Sequence, residues 1–411
     1  MRSVSFVNHL KLSTGGKVSQ QCMALGDVDG DGQNELVVAV EGGDLKVYKG
    51  NSIEPWWKFN EAGDISCVEI GDVCNVGKDS VIAFTRNGPC SIIDLSISAT
   101  DDGVSYTLKQ DRLPANIINV LIGDVDKDEK KELIACHSDQ SVSAYRWHEK
   151  EKKFILLQRW RLRNLAGNVT LHNASEKGRP TIMVSQPGCS YAILSVDWDA
   201  ADNVTSRLSH CTENIQYTPL SSRSRLQNPS VLCKILGDIR KSGEKMAGYF
   251  ALCTLDGTLK LMEKDKMLWS LQVDHQLFAL NKVDVLGDNR EEVIVCAWDG
   301  QTYIVDHDRN VVRYQFQDNV QAFCAGKYSA DGKTNLPCLV YADFHNKITL
   351  FYDVRLSFLK ATDFLTVANG DAEMREVFTE LGINEQEEKR SYLKNCLLTK
   401  VPTSSNDCLK S

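Results

Sequence analysis

At 411 residues with 42% hydrophobic content, the chain is long and apolar enough to bury a large core. Its net charge of −8 and pI of about 5.6 argue against general binding to nucleic acid or to an anionic membrane, both of which need clustered Lys and Arg. No run approaches the roughly 18–20 apolar residues of a membrane span, and the polar start MRSVSFVNHLKL lacks the apolar stretch of a secretory signal.

From Arg2 to Leu12 apolar and polar residues alternate (Val4, Phe6, Leu10, Leu12), the pattern of a strand. Beyond it the chain repeats one unit. GDVDGDGQNELVVAV runs from Gly26 to Val40, and altered versions begin at Gly71 (GDVCNVGKDSVIAF), Gly123 (GDVDKDEKKELIAC), Leu171 (LHNASEKGRPTIMV), Gly237 (GDIRKSGEKMAGYFALC), Val283 (VDVLGDNREEVIVC) and Gly326 (GKYSADGKTNLPCLVY). A second landmark keeps phase: Asp27 to Gly43, Asp72 to Gly88, Asp124 to Gln140 and Asp284 to Gly300 are each sixteen residues, and Asn173 to Gly188 is fifteen. Trp57 precedes Asp72 by the same fifteen residues that separate Trp269 from Asp284.

With Asp27, Asp72, Asp124, Asn173, Asp238, Asp284 and Lys327 taken as equivalent, the mean step is fifty residues, the length of a four-stranded propeller blade. A single such sheet cannot cover both of its faces, so the expected fold is an all-β, seven-bladed β-propeller in which neighbours pack in a ring. The N-terminal segment is expected to lend a strand to the last blade and close that ring. Asn87-Gly88, Asp256-Gly257 and Asp299-Gly300 suit tight hairpins. Trp56, Trp57, Trp160, Trp269 and Trp298 are expected to fill the wedges between sheets.

Two segments break the repeat. Ser98 to Leu113 reads as a short insertion, and 197–229, rich in Ser, Asn, Asp, Thr and Arg, as a long loop. After Asp353 the period becomes helical. Met374, Val377, Phe378 and Leu381 share one helix face, and EQEEKRSYLKNCLL predicts a second helix with Tyr392, Leu393, Cys396 and Leu397 together. The domain reading is a propeller over 1–355, a helical segment over 356–400 and a disordered tail over 401–411.

Cysteines number fourteen, but many fall inside apolar strand segments (Cys136, Cys253, Cys296, Cys338) and no CxxC pair occurs. They are expected to be buried free thiols in a reducing cytoplasm. The short basic runs at Arg159 to Arg163 and Arg223 to Arg225 are read as a solvated strand edge and a loop.

The first acidic turn has the composition of a cation loop: Asp27, Asp29, Asp31, Gly32 and Glu35 give D-x-D-x-D-G-x-x-E. If Ca²⁺ is bound, Asp27, Asp29 and Asp31 supply side-chain oxygens, Gln33 its backbone carbonyl and Glu35 the closing carboxylate. The competing reading is a surface turn held by Asp-to-backbone hydrogen bonds. Asp124, Asp126 and Asp128 in the third copy lack the Gly, and the second, fifth, sixth and seventh copies are read as lacking the carboxylate set. The sequence has no GxSxG, HExxH or Walker loop, and His275 and His307 beside Asp274, Asp306 and Asp308 read as turn hydrogen bonds before an acid–base pair. No enzymatic activity, no catalytic residue and no required cofactor are expected.

The acidic turn within a blade-length repeat resembles the FG-GAP repeat of integrin α-subunit propellers, without clear FG or GAP tripeptides and with Glu35 where that loop usually ends in Asp. Longer stretches, namely MRSVSFV at the start, MVSQPGCSYAIL from Met183, FALCTLDGTLKLME from Phe250, VDHQLFAL from Val273, CAWDGQTYIVDH from Cys296 and FCAG from Phe323, resemble the family of FG-GAP-repeat subunits of the KICSTOR complex. The likeness runs from Met1 to about Asp353 and is weak over 197–229. It implies a non-catalytic scaffold whose partners are kaptin, the large seizure-threshold scaffold, the small fourth KICSTOR subunit and the GATOR Rag-GTPase-activating complex. It also implies a cytoplasmic protein recruited to the lysosomal membrane through its complex, where target-of-rapamycin signalling is switched off when amino acids or glucose are scarce. The alternative reading is a calcium-dependent ligand-binding or adhesion propeller of the integrin-α type.

Overall fold

The structure, a computed structural model, describes residues 2–60, 63–97, 104–173, 178–196, 198, 215–219, 231–241, 247–360, 364–383 and 385–398. It separates into two compact units, residues 1–359 and 360–411.

The first unit is a seven-bladed β-propeller. Blades 1 to 5 cover residues 23–59, 65–112, 117–161, 169–219 and 233–272, each an antiparallel sheet of four strands in chain order. Blade 7 takes three strands from 320–351, and its outer strand is His9–Ser13, antiparallel to Lys347–Phe351 with Leu10 opposite Leu350 and Leu12 opposite Ile348. The N-terminal segment thus closes the ring. It also does something the alternation did not announce: Arg2–Ser3 pairs parallel with Val311–Gln315 as a fifth strand of blade 6 (277–315).

Innermost strands pack side by side around the axis, and an aliphatic–Gly step fits them together. In blades 1, 2 and 3 the residue before the glycine lies against the glycine of the preceding blade, and in blade 4 Leu171, which precedes His172, does the same. Cβ atoms built on Gly26, Gly71, Gly123 and Gly326 would come within 2.9 Å of Ile70, 3.2 Å of Ile122, 2.5 Å of Leu171 and 3.0 Å of Leu25, respectively. The last of these contacts joins blade 7 to blade 1. Second strands are covered on both faces, which is why Glu35–Ala39, Ser80–Thr85, Glu132–His137 and Glu292–Ala297 are buried throughout and read as continuous apolar runs.

Trp57, Trp160 and Trp269 sit buried on the outer strands of blades 1, 3 and 5. Trp298 does not join them; it is 47% exposed, in the turn between the second and third strands of blade 6. Both segments read as insertions contain outer strands: Val104–Arg112 pairs with Pro89–Ile97, and Ile215–Pro219 with Ser190–Leu194. Arg223 to Arg225 lie outside the described residues. The eleven cysteines whose side chains are described are free, nine of them buried.

The second unit has helices Phe364–Gly370, Ala372–Glu380 and Gln386–Leu398, with Leu365, Ala368, Phe378 and Leu393 at their common core. Asp371 caps the middle helix by accepting from the backbone N–H groups of Glu373 and Met374 at 2.9 and 3.1 Å. The first helix was not expected from the sequence, and the tail over 401–411 lies outside the described residues.

Candidate functional site

Antiparallel order puts two kinds of connection on opposite faces of the ring. Turns between first and second strands form one face and carry the acidic motifs. Turns between second and third strands form the other, together with the links from blade to blade.

On the acidic face the leading aspartate organises the turn itself. Asp27 accepts from the backbone N–H groups of Gly30 at 2.7 Å and Gly32 at 2.8 Å. Asp72 takes Val76 and Gly77, Asp124 takes Lys127 and Glu129, and Asp284 takes Gly287 and Asn289 in the same way. Eight residues after that aspartate, Glu35, Glu132 and Glu292 begin the second strands and are almost wholly buried, each accepting from the backbone N–H of Val28, Val125 or Val285 at 3.1, 3.1 and 2.8 Å. The sixth copy therefore belongs with the first and third, contrary to its reading as lacking the carboxylates. Burial pushes all three Glu carboxyls up to about 7, against the pull of those N–H groups.

Carboxylate oxygens of Asp27, Asp29 and Glu35 come within 4.8 Å of one another, as do those of Asp124, Asp126 and Glu132. The Lys49 ammonium reaches into the first group, 2.5 Å from Asp29, 2.6 Å from Asp31 and 3.1 Å from Glu35 Oε1. Burial works against that charge, but Asp29, Asp31 and Glu35 outweigh it and raise the lysine pKa. Arg146 does the same in blade 3, reaching Asp126 at 3.1 Å, Asp128 at 3.0 Å and Glu132 at 2.5 Å. Gln33, expected to offer its carbonyl to a cation, uses its side-chain oxygen to accept from Ser329 Oγ at 2.6 Å. The Lys49 ammonium thus engages carboxylates of Asp29, Asp31 and Glu35 that the sequence offered to a calcium ion.

Among the described residues neither histidine bonds the aspartate beside it in sequence. His275 turns to Asp299 at 2.6 Å, in the next blade, and His307 Nε2 meets the Glu291 carbonyl at 3.0 Å. Asp306 is spent on its own turn, accepting from Asp308 and Asn310. At the axis, a cavity of about 290 Å³ is lined by the polar groups Gln20, Gln21, Glu69, Asn119, Asn168 and Lys234. Its amides staple neighbouring inner strands: Gln20 exchanges hydrogen bonds with the backbone of Phe323, both at 2.8 Å, and Asn168 with that of Ile235 at 2.7 and 2.8 Å.

The opposite face carries exposed apolar side chains. Leu165 and Leu232 stand in links between blades, and Trp298 and Phe344 in the turns between second and third strands of blades 6 and 7. Backbone hydrogen bonds hold these connections in place, from Leu255 N–H to the Leu232 carbonyl at 2.9 Å and from Val320 N–H to the Trp298 carbonyl at 2.8 Å. Rigid turns bearing large apolar groups suit protein docking.

A family model described as integrin-alpha FG-GAP repeat-containing protein 2 matches residues 49–356. The mouse (Mus musculus) KICSTOR complex protein ITFG2 is 39% identical over 414 residues, spanning 94% of this chain and 93% of its own length. The chain belongs to the integrin-alpha FG-GAP repeat-containing protein 2 family. The cattle (Bos taurus) KICSTOR complex protein ITFG2 is likewise 39% identical, over 89% of this chain and 74% of its own. Among solved structures, this family member is similar in fold to BBS1N in the crystal structure of its complex with ARL6DN, soaked with lead, at a TM-score of 0.63 and 13% identity, over 88% of this chain and 100% of that one. Sqt1 of Saccharomyces cerevisiae follows at 0.50 and 13% identity, over 79% of this chain and 82% of that one. At such identities the likeness is one of propeller architecture.

Proposed function

We propose that this protein is a non-catalytic scaffold subunit of a KICSTOR complex. In this reading it works with kaptin, the large seizure-threshold scaffold and the small fourth subunit to hold the GATOR Rag-GTPase-activating complex at the lysosomal membrane. Target-of-rapamycin signalling is thereby lowered when amino acids or glucose are scarce. The observation that carries the reading is the 39% identity to a KICSTOR complex protein across nearly the whole of both chains. The geometry supports it: a closed ring loses little conformational entropy on docking, and its exposed Leu165, Leu232, Trp298 and Phe344 offer apolar anchors on fixed turns. No helix of the described residues is long and apolar enough to cross a membrane; in this reading membrane association runs through the partners.

Affinity purification of the tagged full chain from cells, followed by mass spectrometry, tests this. Kaptin and the large scaffold are expected in the eluate, and the pair Trp298→Ala and Phe344→Ala is expected to reduce their recovery with an unchanged melting temperature. Recovery of neither partner by the wild type would overturn the proposal.

A further inference from the structure

The two turns with three aspartates each receive a cationic side chain from the end of the third strand of their own blade. Position 22 after the leading aspartate is Lys49 in blade 1 and Arg146 in blade 3, whereas it is Asp94 in blade 2 and Asp306 in blade 6, whose turns carry fewer acids. In blade 2 the charges are inverted: Asp94 accepts from Lys78 Nζ at 2.6 Å. In these four blades the acid-rich turns and the cation opposite them change together, while blade 5 has Lys260 at the same position after a turn with one aspartate.

The cation engages the carboxylates directly, with Lys49 Nζ 2.5 and 2.6 Å from Asp29 and Asp31. No hydrogen bond reaches Glu35 Oε1 among the described residues, so the ammonium 3.1 Å away supplies the positive charge facing it. In blade 3 the position is closed twice, because Trp198 Nε1 also donates to Asp126 at 2.8 Å. Asp27 and Asp124, meanwhile, accept backbone N–H groups of their own turns.

We infer that Lys49 and Arg146 are resident cations standing where an FG-GAP-type turn would hold Ca²⁺, so that these turns are built without metal, and that removing the Lys49 ammonium uncovers a Ca²⁺ site. The acidic face then supports contacts that do not depend on calcium, unlike those of an adhesion propeller.

The test uses the full chain stripped with EDTA. Terbium luminescence sensitised by tryptophan is read alongside melting temperature, and Trp56, whose ring is 5.1 Å from Lys49 Nζ, serves as the local donor. Wild type is expected to show neither terbium emission from this turn nor a shift in melting temperature with about 1 mM Ca²⁺. Lys49→Met is expected to melt lower in EDTA, to regain stability with Ca²⁺, and to bind Tb³⁺ with an emission that Ca²⁺ competes away and Trp56→Phe removes. Terbium emission from wild type that Asp29→Asn abolishes would overturn the inference, and so would a folded Lys49→Met that binds neither ion. If Lys49→Met fails to fold in EDTA, its recovery on refolding in Ca²⁺ is the expected result and failure in both conditions overturns the uncovered site; the wild-type titration decides the resident cation independently.

Discussion

Gly237 of blade 5 faces the Leu171 carbonyl oxygen of blade 4 so closely that a methyl group on it would overlap that oxygen and stand 3.2 Å from His172 Cβ. The backbone N–H of Gly237 also bonds Thr170 Oγ1 at 2.9 Å, fixing the two inner strands together. Because the obstacle is backbone, it cannot swing away. Gly237→Ala is expected to cost about 3 kcal/mol or more, whereas Gly326→Ala, which meets only the Leu25 side chain, is expected to cost about 1 kcal/mol. Urea unfolding midpoints compared at equal m-value measure both.

Most of the ring was readable because its constraints fall close together in sequence. The leading aspartate, its glycine neighbour and the buried second strand lie within about fifteen residues, as Gly26 to Val40 shows, and the copies at Gly71 and Gly123 repeat them in phase. The outer strands of blades 2 and 4 carry no such mark. Val104–Arg112 leaves Tyr106 and Leu108 exposed, and Ile215–Pro219 has no fully buried residue, so neither presents the apolar face that signals a strand. Lys49 and Arg146 escaped for a different reason: each reaches its turn from the end of the third strand, fourteen residues beyond Glu35 or Glu132, and only strand pairing brings the charges together. The sequence signal that would have found them is a basic residue recurring at that one offset.

Trp198 crosses from blade 4 to blade 3, packing its ring 6.2 Å from that of Trp160 while its N–H bonds Asp126. Trp198→Phe keeps an aromatic ring but leaves the buried Asp126 with Arg146 as its remaining side-chain partner among the described residues. A loss of about 1–3 kcal/mol is expected, read as a lower denaturant midpoint. Trp160→Phe, which removes an N–H bonded to the carbonyl of the exposed Ser195 at 3.1 Å, is expected to cost less.

Glu292 gives the clearest pH dependence, since no ion pair reaches it among the described residues and Asp284 and Asp288 oppose its ionisation. Burial is the main cause of its rise to about 7 from 4.5. A carboxyl raised on folding binds its proton more tightly in the native state, so its contribution is full below about 4.5 and is lost as pH climbs through about 7. Wild type is expected to lose up to about 3 kcal/mol from this group between these limits. Glu292→Gln keeps an acceptor for the Val285 N–H and cannot ionise. Its stability should decline less from pH 5 to pH 8 than that of wild type. Parallel melting curves of the two proteins across that range would contradict the assignment.

The N-terminal segment offers two cuts with different consequences. Removing residues 1–4 deletes the parallel pair Arg2–Ser3 and the Val4 N–H bond to the Arg313 carbonyl, but leaves Phe6 packed 4.8 Å from Tyr314 and the outer strand of blade 7 whole. A cost of about 1 kcal/mol is expected, since a two-residue strand at an exposed edge buries little. Removing residues 1–17 takes away the five-residue pairing with Lys347–Phe351, the buried Leu12, and the ties of Ser13 and Thr14 carbonyls to Tyr48 and Lys46 in blade 1. That exposes the edge of Lys347–Phe351 and unfastens blade 7 from its neighbour at the point where the ring closes. The shorter cut should elute as a monomer in size-exclusion chromatography with a near-native melting temperature. The longer one should aggregate or lose its cooperative transition. Equal behaviour of the two would mean that the packing of Leu25 on Gly326 at the axis closes the ring without a shared outer sheet.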